Sequence, residues 1–351
     1  MDKLKKVLVT GSNGYIGSLL VPLLQEKGYE VLGVDAGYFD DPECVFKKTA
    51  NFTAIKKDVR DINESDLSSV DAICHLAALS NDPMGALDSQ LTMDINLNGS
   101  IRLAKLAKES GVKKFLFSSS CSIYGALGGE KPVDEETPTD PRTAYAISKV
   151  EFEKVLKGMA DEKFCPIILR NATAYGSSSK LRLDIVLNNF AANAFSAGEV
   201  KILSDGTPWR PMIHAEDIAR LFVAFLETPE EKVRGEAINC GQDKENYQVK
   251  EIAQIVQGVF PKAKISLSDK PDKDSRSYRV SFQKLQKILP DFKFKWDLKK
   301  AAEELRDDFQ KHGLPEKPLE QRHFIRLKQI NHLKDKKEID EKLYWNKTTE
   351  V

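Results

Sequence analysis

Short runs of apolar, often β-branched residues alternate with helix-length amphipathic stretches through the first half of the chain. The runs lie at residues 6–11, 29–35, 72–77, 114–120 and 165–170. Runs of this kind are typical of parallel strands that are buried on both faces. The alternation therefore predicts an α/β fold, specifically a Rossmann-type doubly wound parallel sheet.

One of the predicted helices contains a proline. The stretch that follows the first strand carries apolar residues at helical spacing, but Pro22 lies inside it. A proline within a helix removes one backbone hydrogen bond and costs about 3 kcal/mol. We therefore predict a helix that either kinks at this position or bears that cost.

The alternating pattern ends at about residue 178, where polar and charged residues become frequent. We predict a main domain over 1–178 and a smaller C-terminal substrate-binding region over 179–310. Within that region, the apolar run at 236–241 is expected to return to the main sheet. Residues 311–351 are read as a charged helical tail. Its apolar residues recur as in an amphipathic helix that lies on a partner surface, at Phe324, Leu327, Ile330 and Leu333.

The charge balance excludes several classes of partner. Lysine and arginine number 53, and so do aspartate and glutamate, so no net charge would attract nucleic acid or an anionic membrane. The five scattered cysteines argue against a disulfide framework and fit a reducing compartment. No apolar run is long enough for a signal peptide or a membrane span. We expect a cytoplasmic protein with no metal site.

A glycine-rich turn, "TGSNGYIG", directly follows the first predicted strand and opens a helix. Its glycines, Gly11, Gly14 and Gly17, would allow a pyrophosphate to approach the backbone at the positive end of the helix dipole. Asp35 ends the second strand, where a carboxylate can accept both ribose hydroxyls and would repel a 2′-phosphate. This combination favours NAD over NADP. Asp58 could flank the adenine or could be a solvated loop residue.

A second motif, "TAYAISK", places Tyr145 and Lys149 four residues apart, so both lie on one face of a helix. A lysine ammonium beside a tyrosine stabilises the phenolate and lowers its pKa. Tyr145 could then move a proton at a sugar hydroxyl while a nicotinamide exchanges the adjacent hydride.

Taken together with "HLAA" (75–78), "NLNGS" (96–100), "SSSCSIYG" (118–125) and "RPMIHAEDIA" (210–219), these motifs resemble the extended short-chain dehydrogenase/reductase family. The similarity is to its NAD-dependent nucleotide-sugar epimerase/dehydratase branch and covers roughly residues 5–310. It implies NAD as cofactor, a nucleotide-diphosphate sugar as substrate, and a homodimer built on the helix of Tyr145.

The resemblance implies roles for individual residues. Catalysis would rest on Ser120, Tyr145 and Lys149. The residues expected to bind the cofactor are Gly11, Asn13, Gly14, Tyr15, Ile16, Gly17, Asp35, Asp58, Val59, Leu76, Ala77, Ala78, Asn96, Tyr145 and Lys149. Those expected to bind the substrate are Ser80, Asn81, Ser122, Asn171, Thr173, Asn188, Arg210 and Arg276. Ser80 and Asn81 could equally be turn residues, and Arg210 could instead form an ion pair with Glu216 or Asp217.

One departure from the family pattern bears on the reaction. Dehydratases of the family carry an Asp-Glu pair after the catalytic serine or threonine, because eliminating water needs a general acid and a general base. Here those positions are Cys121 and Ser122, so 4,6-dehydration is not expected. One step along a strand turns a side chain to the opposite face. We therefore expect Cys121 to point away from Ser122 as a small apolar filler.

The leading hypothesis from the sequence is an NAD-dependent nucleotide-sugar epimerase that works at C4 through a transient 4-keto intermediate. The alternative is a 4-keto-sugar reductase or dehydrogenase, which would use the same three residues with an exchangeable cofactor. A third class, a non-catalytic NAD-binding regulatory protein, is disfavoured because it would need no Ser-Tyr-Lys set.

Overall fold

The strands that the apolar runs predict are present in the computed structural model, which describes residues 4–47, 52–80, 88–127, 131–268 and 276–346. The strands of the described residues are β1 (Lys6–Thr10), β2 (Glu30–Asp35), β3 (Ile55–Lys56), β4 (Ala72–His75), β5 (Lys114–Ser120), β6 (Cys165–Asn171), β7 (Thr173–Tyr175), β8 (Glu199–Ile202), β9 (Trp209–His214), β10 (Ala237–Cys240), β11 (Asn246–Gln248) and β12 (Lys264–Leu267).

Seven of these strands form one sheet in the order β10-β6-β5-β4-β1-β2-β3. All neighbouring pairs are parallel. The Rossmann-type α/β fold predicted from the sequence is therefore confirmed. The two-residue edge strand β3 escaped prediction because it is too short to show a pattern. The apolar run at 236–241 supplies β10, which pairs with β6 at the other edge.

Helices connect the strands. They are α1 (Gly17–Glu26), α2 (Ser89–Met93), α3 (Ser100–Glu109), α4 (Ala144–Met159), α5 (Val186–Ala197), α6 (Ala215–Glu227), α7 (Val249–Val259), α8 (Gln283–Ile288), α9 (Leu298–His312) and α10 (Arg326–Asp335). A π-helical turn, Asp94–Gly99, joins α2 to α3. Within the described ranges, no helix is long and apolar enough to cross a membrane.

The main sheet is covered on both faces, because successive strand residues point to opposite sides. Val7 and Val9 belong to a core that α1 and α6 close. Leu8 between them belongs to a second core, which α3 and α4 close. This double coverage explains why the strands appear in the sequence as continuous apolar runs.

The predicted helix is present, and α1 continues through Pro22. The helix buries Leu20 and Leu24 completely against the sheet. Burial of a leucine stabilises the fold by about 1.5–3 kcal/mol, so the two residues offset the roughly 3 kcal/mol that an internal proline costs.

The C-terminal half builds a second lobe beside the carboxyl ends of the main strands. Strands β7, β9 and β11 form one small sheet, and β8 pairs with β12. Helices α5, α7 and α9 surround a third core, which includes Leu187, Ile252 and Leu305. The chain after residue 178 thus has a separate apolar core, although polar and charged residues are frequent in its sequence.

The tail does not lie on a partner surface as its apolar repeat suggested. Phe324 packs into the core of the second lobe, whereas Ile330 and Leu333 on α10 pack into the core on the α3–α4 side of the main sheet. Ile330 is 0% exposed. The surface that the tail covers is thus the chain's own, and the tail ties the two lobes together.

The end of the tail also covers the segment that follows β2. The Tyr38 hydroxyl donates to the carbonyl oxygen of Leu343 at 2.6 Å, and the Trp345 indole N–H donates to that of Ala36 at 2.6 Å. The rings of Tyr38 and Trp345 stack with centroids 6.1 Å apart. The segment directly after Asp35 is therefore held down by residues more than 300 positions away.

If α10 is part of this chain's own core, Ile330→Ala should lower the free energy of unfolding by about 2–5 kcal/mol, the usual cost of removing a buried isoleucine side chain. Asn331→Ala is the matched control, because Asn331 is the next residue of the helix and is exposed. It should change stability by less than about 0.5 kcal/mol. Urea unfolding followed by circular dichroism measures both, and equal values for the two variants would contradict the packing.

Candidate active site

A cleft of about 580 Å³ lies between the two lobes, along the carboxyl ends of β1, β2, β4, β5 and β6. Parallel α/β sheets bind ligands at this edge, because the loops that leave the strands diverge there. The far wall comes from the second lobe and includes Lys201, Leu203, Arg210 and Tyr278.

The glycine-rich turn forms the floor at one end of the cleft. A Cβ atom on Gly17 would lie 2.1 Å from the carbonyl oxygen of Gly11. Gly11 itself has φ +72°, and a Cβ there would lie 2.9 Å from the backbone nitrogen of Ala77. Only glycine fits this approach of backbone to backbone, which brings the N-terminus of α1 to the cleft. The turn therefore fits the diphosphate of a dinucleotide.

Asp35 is positioned to receive a ribose. One carboxylate oxygen accepts the backbone N–H of Asn13 at 3.0 Å, and the other accepts that of Gly37 at 2.9 Å. Burial raises the pKa of Asp35, and these two hydrogen bonds oppose the shift. The Asp58 carboxylate is more committed, because Arg60 binds both of its oxygens at 2.9 Å. Of the two carboxylates, Asp35 is therefore the better candidate to accept hydrogen bonds from the two ribose hydroxyls.

The three predicted catalytic residues come together in the cleft. Ser120 ends β5, and its hydroxyl is hydrogen-bonded to the Tyr145 hydroxyl. Helix α4 brings Tyr145 and Lys149 to the same wall. The Lys149 ammonium donates to the carbonyl oxygen of Ser118 at 2.8 Å and lies 5.5 Å from the centroid of the Tyr145 ring.

Burial opposes the charged form of both α4 residues. It lowers the pKa of Lys149 to about 7, although the Glu153 carboxylate acts in the opposite direction. It also raises the pKa of Tyr145, against the Ser120 hydrogen bond and the positive charge of Arg182. The sequence assigned the role of favouring the phenolate to Lys149. In the structure, the Ser120 hydrogen bond and the positive charge of Arg182 both act to lower the pKa of Tyr145.

Sequence reasoning missed Arg182 and its partner Asp184, both of which line the cleft. The Arg182 guanidinium binds the two Asp184 oxygens at 2.9 and 3.1 Å and donates to the Ser80 hydroxyl at 3.2 Å. This fork fixes the guanidinium in the cleft near Tyr145. The only signal in the sequence was the pattern "RLD" in a segment already rich in charge.

Among the buried polar atoms of the cleft that have no hydrogen-bond partner in the described residues, two belong to predicted substrate contacts. They are the Ser122 hydroxyl and the carbonyl oxygen of the Asn171 side chain. A buried polar group that stays unpaired costs about 1–3 kcal/mol, so a hydroxyl-rich ligand would be stabilised by pairing with them. Both residues are predicted substrate contacts, as is Thr173, which also lines the cleft.

Cys121 lies outside the cleft lining, although the backbone there is not the predicted strand. Residues Cys121–Tyr124 form a 3-10 turn. The Cys121 thiol is buried 3.2 Å from the carbonyl oxygen of Arg170, and burial raises its pKa. The expected separation of Cys121 from Ser122 thus occurs through a turn rather than through strand alternation.

The predicted phosphate clamp, Arg210 and Arg276, is assembled on the second lobe. Both line the cleft, and the Arg210 guanidinium donates to the backbone carbonyl oxygen of Arg276. The carboxylates that were alternative partners of Arg210 are engaged elsewhere. Glu216 pairs with Lys295 at 2.9 Å, and Asp217 pairs with Arg220 at 2.6 Å.

Three predicted ligand contacts are not cleft residues. The Asn188 amide is fully buried, bonded to both backbone groups of Gly176 and to the carbonyl oxygen of Arg182, so we reassign it from phosphate binding to loop support. Asn96 likewise bonds both backbone groups of Leu79 and holds a cleft wall. The contribution of Asn13 is its backbone N–H, which donates to the Asp35 carboxylate. Asn81 lies outside the described residues.

The other predicted cofactor positions do line the cleft: Gly11, Gly14, Tyr15, Ile16, Gly17, Asp35, Asp58, Val59, Leu76, Ala77 and Ala78. They come from four separate strand ends, so only the folded sheet brings them into one surface. Together with Tyr145 and Lys149 they make a continuous wall along one side of the cleft.

Comparison with known proteins gives consistent results. Residues 7–241 match the model of the NAD dependent epimerase/dehydratase family. A UDP-glucuronate 4-epimerase of Thermodesulfobacterium geofontis is 29% identical over 275 residues, 73% of this chain and 80% of that protein. A dTDP-D-glucose 4,6-dehydratase of Homo sapiens is 26% identical over 337 residues, 90% of this chain and 94% of that protein. The crystal structure of a Thermotoga maritima UDP-glucose 4-epimerase with UDP-glucose has a TM-score of 0.77 at 25% identity, and the match covers 87% of this chain and 99% of that one.

The burial of Lys149 predicts a pH-dependent stability. An unfolded lysine has a pKa near 10.4, whereas in the folded protein burial lowers the pKa to about 7. Between about pH 7 and 10 the unfolded state therefore binds more protons, and stability rises with pH. The free energy of unfolding of the wild type, measured relative to that of Lys149→Met, should therefore rise by up to about 1.4 kcal/mol for each unit of pH in this range.

Urea unfolding of the cofactor-free protein at several pH values between 6.5 and 9.5 measures this difference. Lys154→Met is the control, because Lys154 lies on the same helix with its side chain 66% exposed. Its difference from the wild type should not vary with pH. A difference between wild type and Lys149→Met that also stays constant would contradict the burial of a titrating lysine.

Proposed function

The chain belongs to the NAD-dependent epimerase/dehydratase family, and we propose that within this family it is a nucleotide-sugar 4-epimerase. The observation that carries the proposal is the Ser120–Tyr145–Lys149 set, beside which the described residues offer no unpaired carboxyl group for dehydration. Conversion at C4 needs a proton and a hydride to leave and return, but needs no leaving group.

The residues of the cleft would divide this work among them. Tyr145, in its phenolate form, takes the proton of the C4 hydroxyl while Ser120 holds that hydroxyl by a hydrogen bond. When NAD is bound at the glycine-rich turn and Asp35, it supplies a site that accepts the C4 hydride and returns it. Tyr145 gives its proton back to the oxygen after the 4-keto sugar has turned its other face. Atoms and electrons then balance with no external oxidant or reductant.

The acids of the cleft support an epimerase over a dehydratase. Among the described residues, the carboxylates that line it are Asp35, Asp58 and Asp184. Asp35 and Asp58 belong to the cofactor end. Asp184 is paired with Arg182, whose positive charge holds the pKa of that carboxyl below its usual range, which disfavours Asp184 as a proton donor to a leaving hydroxyl.

The opposite wall supports a nucleotide-diphosphate sugar as the substrate. Arg210 and Arg276 meet there, and guanidinium groups bind phosphate oxygens through fixed, permanently charged donors. Ser122 and Asn171 present unpaired polar atoms toward the place where a sugar would lie. We also retain the homodimer that the family resemblance implies as part of this proposal.

The direct test incubates the purified protein with UDP-, dTDP-, GDP- and CDP-hexoses without added cofactor and follows the sugars by NMR. One hexose pair should interconvert at C4. Tyr145→Phe should lower the rate by about 10²–10⁴-fold, the usual contribution of a positioned proton-transfer group, while the variant still binds NAD. Activity retained in Tyr145→Phe would overturn the assigned chemistry.

Other products would replace the proposal with a defined alternative. Consumption of added NADH with a 4-keto sugar, without epimerisation, would indicate a reductase. Formation of a 4-keto-6-deoxy sugar would indicate a dehydratase. In heavy water, deuterium at C3 or C5 of the product would indicate enolisation, which hydride exchange at C4 does not produce.

Two adjacent residues give a second test, because only one of them faces the cleft. Ser122→Ala removes an unpaired cleft hydroxyl and should lower kcat/KM by about tenfold, the usual effect of losing one neutral hydrogen bond. Cys121→Ala changes a buried thiol outside the cleft and should keep most of the activity. Steady-state kinetics give kcat/KM for both variants. A hundredfold loss in Cys121→Ala would mean that the thiol reaches the substrate.

A further inference from the structure

Arg326, the first residue of α10, reaches from the tail into the cleft. It is only 3% exposed. One terminal nitrogen, Nη2, donates to the backbone carbonyl oxygen of Lys180 at 2.8 Å, and the guanidinium lies 4.1 Å above the centroid of the Phe39 ring. The other terminal nitrogen, Nη1, is buried with no hydrogen-bond partner among the described residues.

A buried cation with an unused donor is an expensive feature, because both the charge and the N–H group have lost water. Burial and the neighbouring positive charge of Arg182 lower the pKa of Arg326 to about 10. The Asp184 carboxylate is already bound by Arg182 through both oxygens. The Nη1 group of Arg326 therefore lacks an acceptor, and a bound anion would supply both the acceptor and a compensating negative charge.

The position of Arg326 identifies which anion this would be. Its charged neighbours include Asp35, the predicted ribose carboxylate, and Arg182. Arg182 in turn acts on Tyr145 at the catalytic end of the cleft. If the ribose lay at Asp35 and the nicotinamide at Tyr145, Arg326 would lie between the two ends of the dinucleotide, in the cleft whose floor is the glycine-rich turn. The middle of a dinucleotide is its diphosphate.

We propose that Arg326, together with Arg182, binds the diphosphate of NAD, so that the C-terminal tail completes the cofactor site. The glycine-rich turn would bind the diphosphate through backbone N–H groups, and the two guanidinium groups would bind it from the tail and the second lobe. This assignment concerns the cofactor and does not depend on which nucleotide sugar reacts.

The rest of the tail supports a role in holding the cofactor. On the same helix, the Gln329 amide donates to the backbone carbonyl oxygen of Tyr38 at 3.0 Å. Further along the tail, Leu343 and Trp345 bind Tyr38 and Ala36. Tyr38 and Ala36 both line the cleft beside Asp35. Release of NAD would then require breaking the Arg326 contacts, which suits a cofactor that is regenerated in place.

The substrate diphosphate is a weaker alternative. Its predicted clamp, Arg210 and Arg276, lies on β9 and the segment beside it in the second lobe. Arg326 instead contacts Phe39 and Lys180, at the side of the cleft that holds Asp35. The two sites differ in ligand, so binding measurements can separate them.

The experiment measures the affinity of the cofactor-free protein for NAD, ADP and adenosine by isothermal titration calorimetry. Arg326→Gln should weaken binding of NAD and of ADP by a similar factor of about 10–100, because each loses the same charge-assisted hydrogen bonds. Binding of adenosine, which has no phosphate, should stay within about twofold. Binding of UDP should be unchanged.

Arg322→Gln is the matched control. Arg322 belongs to the same tail, but it forms its ion pairs with Asp41 and Glu43 and does not line the cleft. It should leave the affinity for NAD within about twofold of the wild type. An equal loss in both variants would locate the effect in docking of the tail and overturn the proposal. So would an equal loss for adenosine, or a loss for UDP without one for NAD.

Arg326→Met covers the case in which Arg326→Gln fails to fold. It keeps the packing on Phe39 and removes the unpaired buried donor, so the cofactor-free protein should melt at the wild-type temperature or higher. The increase in Tm that NAD and ADP produce should shrink in parallel. An undiminished increase with NAD would overturn the proposal.

Discussion

The elements that carry the proposed catalytic residues are held together by a buried ion pair between Glu153 on α4 and Arg170 on β6. Both side chains are about 95% buried, and Arg170 binds the carboxylate through two nitrogens. The Ser119 hydroxyl on β5 donates to the same carboxylate. Removing one partner of such a pair leaves an uncompensated charge and costs about 3–5 kcal/mol. The pair therefore anchors helix α4 to β5 and β6, and on these same elements Tyr145 and Ser120 form their hydrogen bond.

The same burial decides the electrostatics of the cleft. Lys149 is so poorly solvated that its pKa falls to about 7, so its charge is only partial at neutral pH. The permanent positive charge near Tyr145 comes from Arg182, which Asp184 holds in place. An arginine keeps its charge when buried because its intrinsic pKa is above 12. The site thus combines one cation whose charge varies with pH and one whose charge does not.

Residues that follow a strand directly, or repeat along one helix, were located by sequence reasoning. Gly17, Asp35 and Ser120 all lie at strand ends or turns, where the chemistry of a residue depends on its immediate neighbours in the chain. Asn188 shows the limit of that reasoning. Its position in the sequence pointed to a phosphate, but the fold surrounds its amide with the backbone of Gly176 and Arg182, and these contacts use its donors and its acceptor.

The sequence by itself determined the parallel α/β sheet, the glycine-rich turn after β1 and the helix that carries Tyr145 and Lys149, because each depends on spacing over a few residues. Tertiary structure alone decided which charges face the cleft. Arg182 and Arg326 are 144 positions apart in charged segments, and nothing in their local pattern distinguishes them from surface arginines. They meet in the cleft because Phe324 packs into one core and Ile330 into the other, which fixes the tail across both lobes. Burial by distant segments, which local spacing does not encode, turned these two charges into parts of the site.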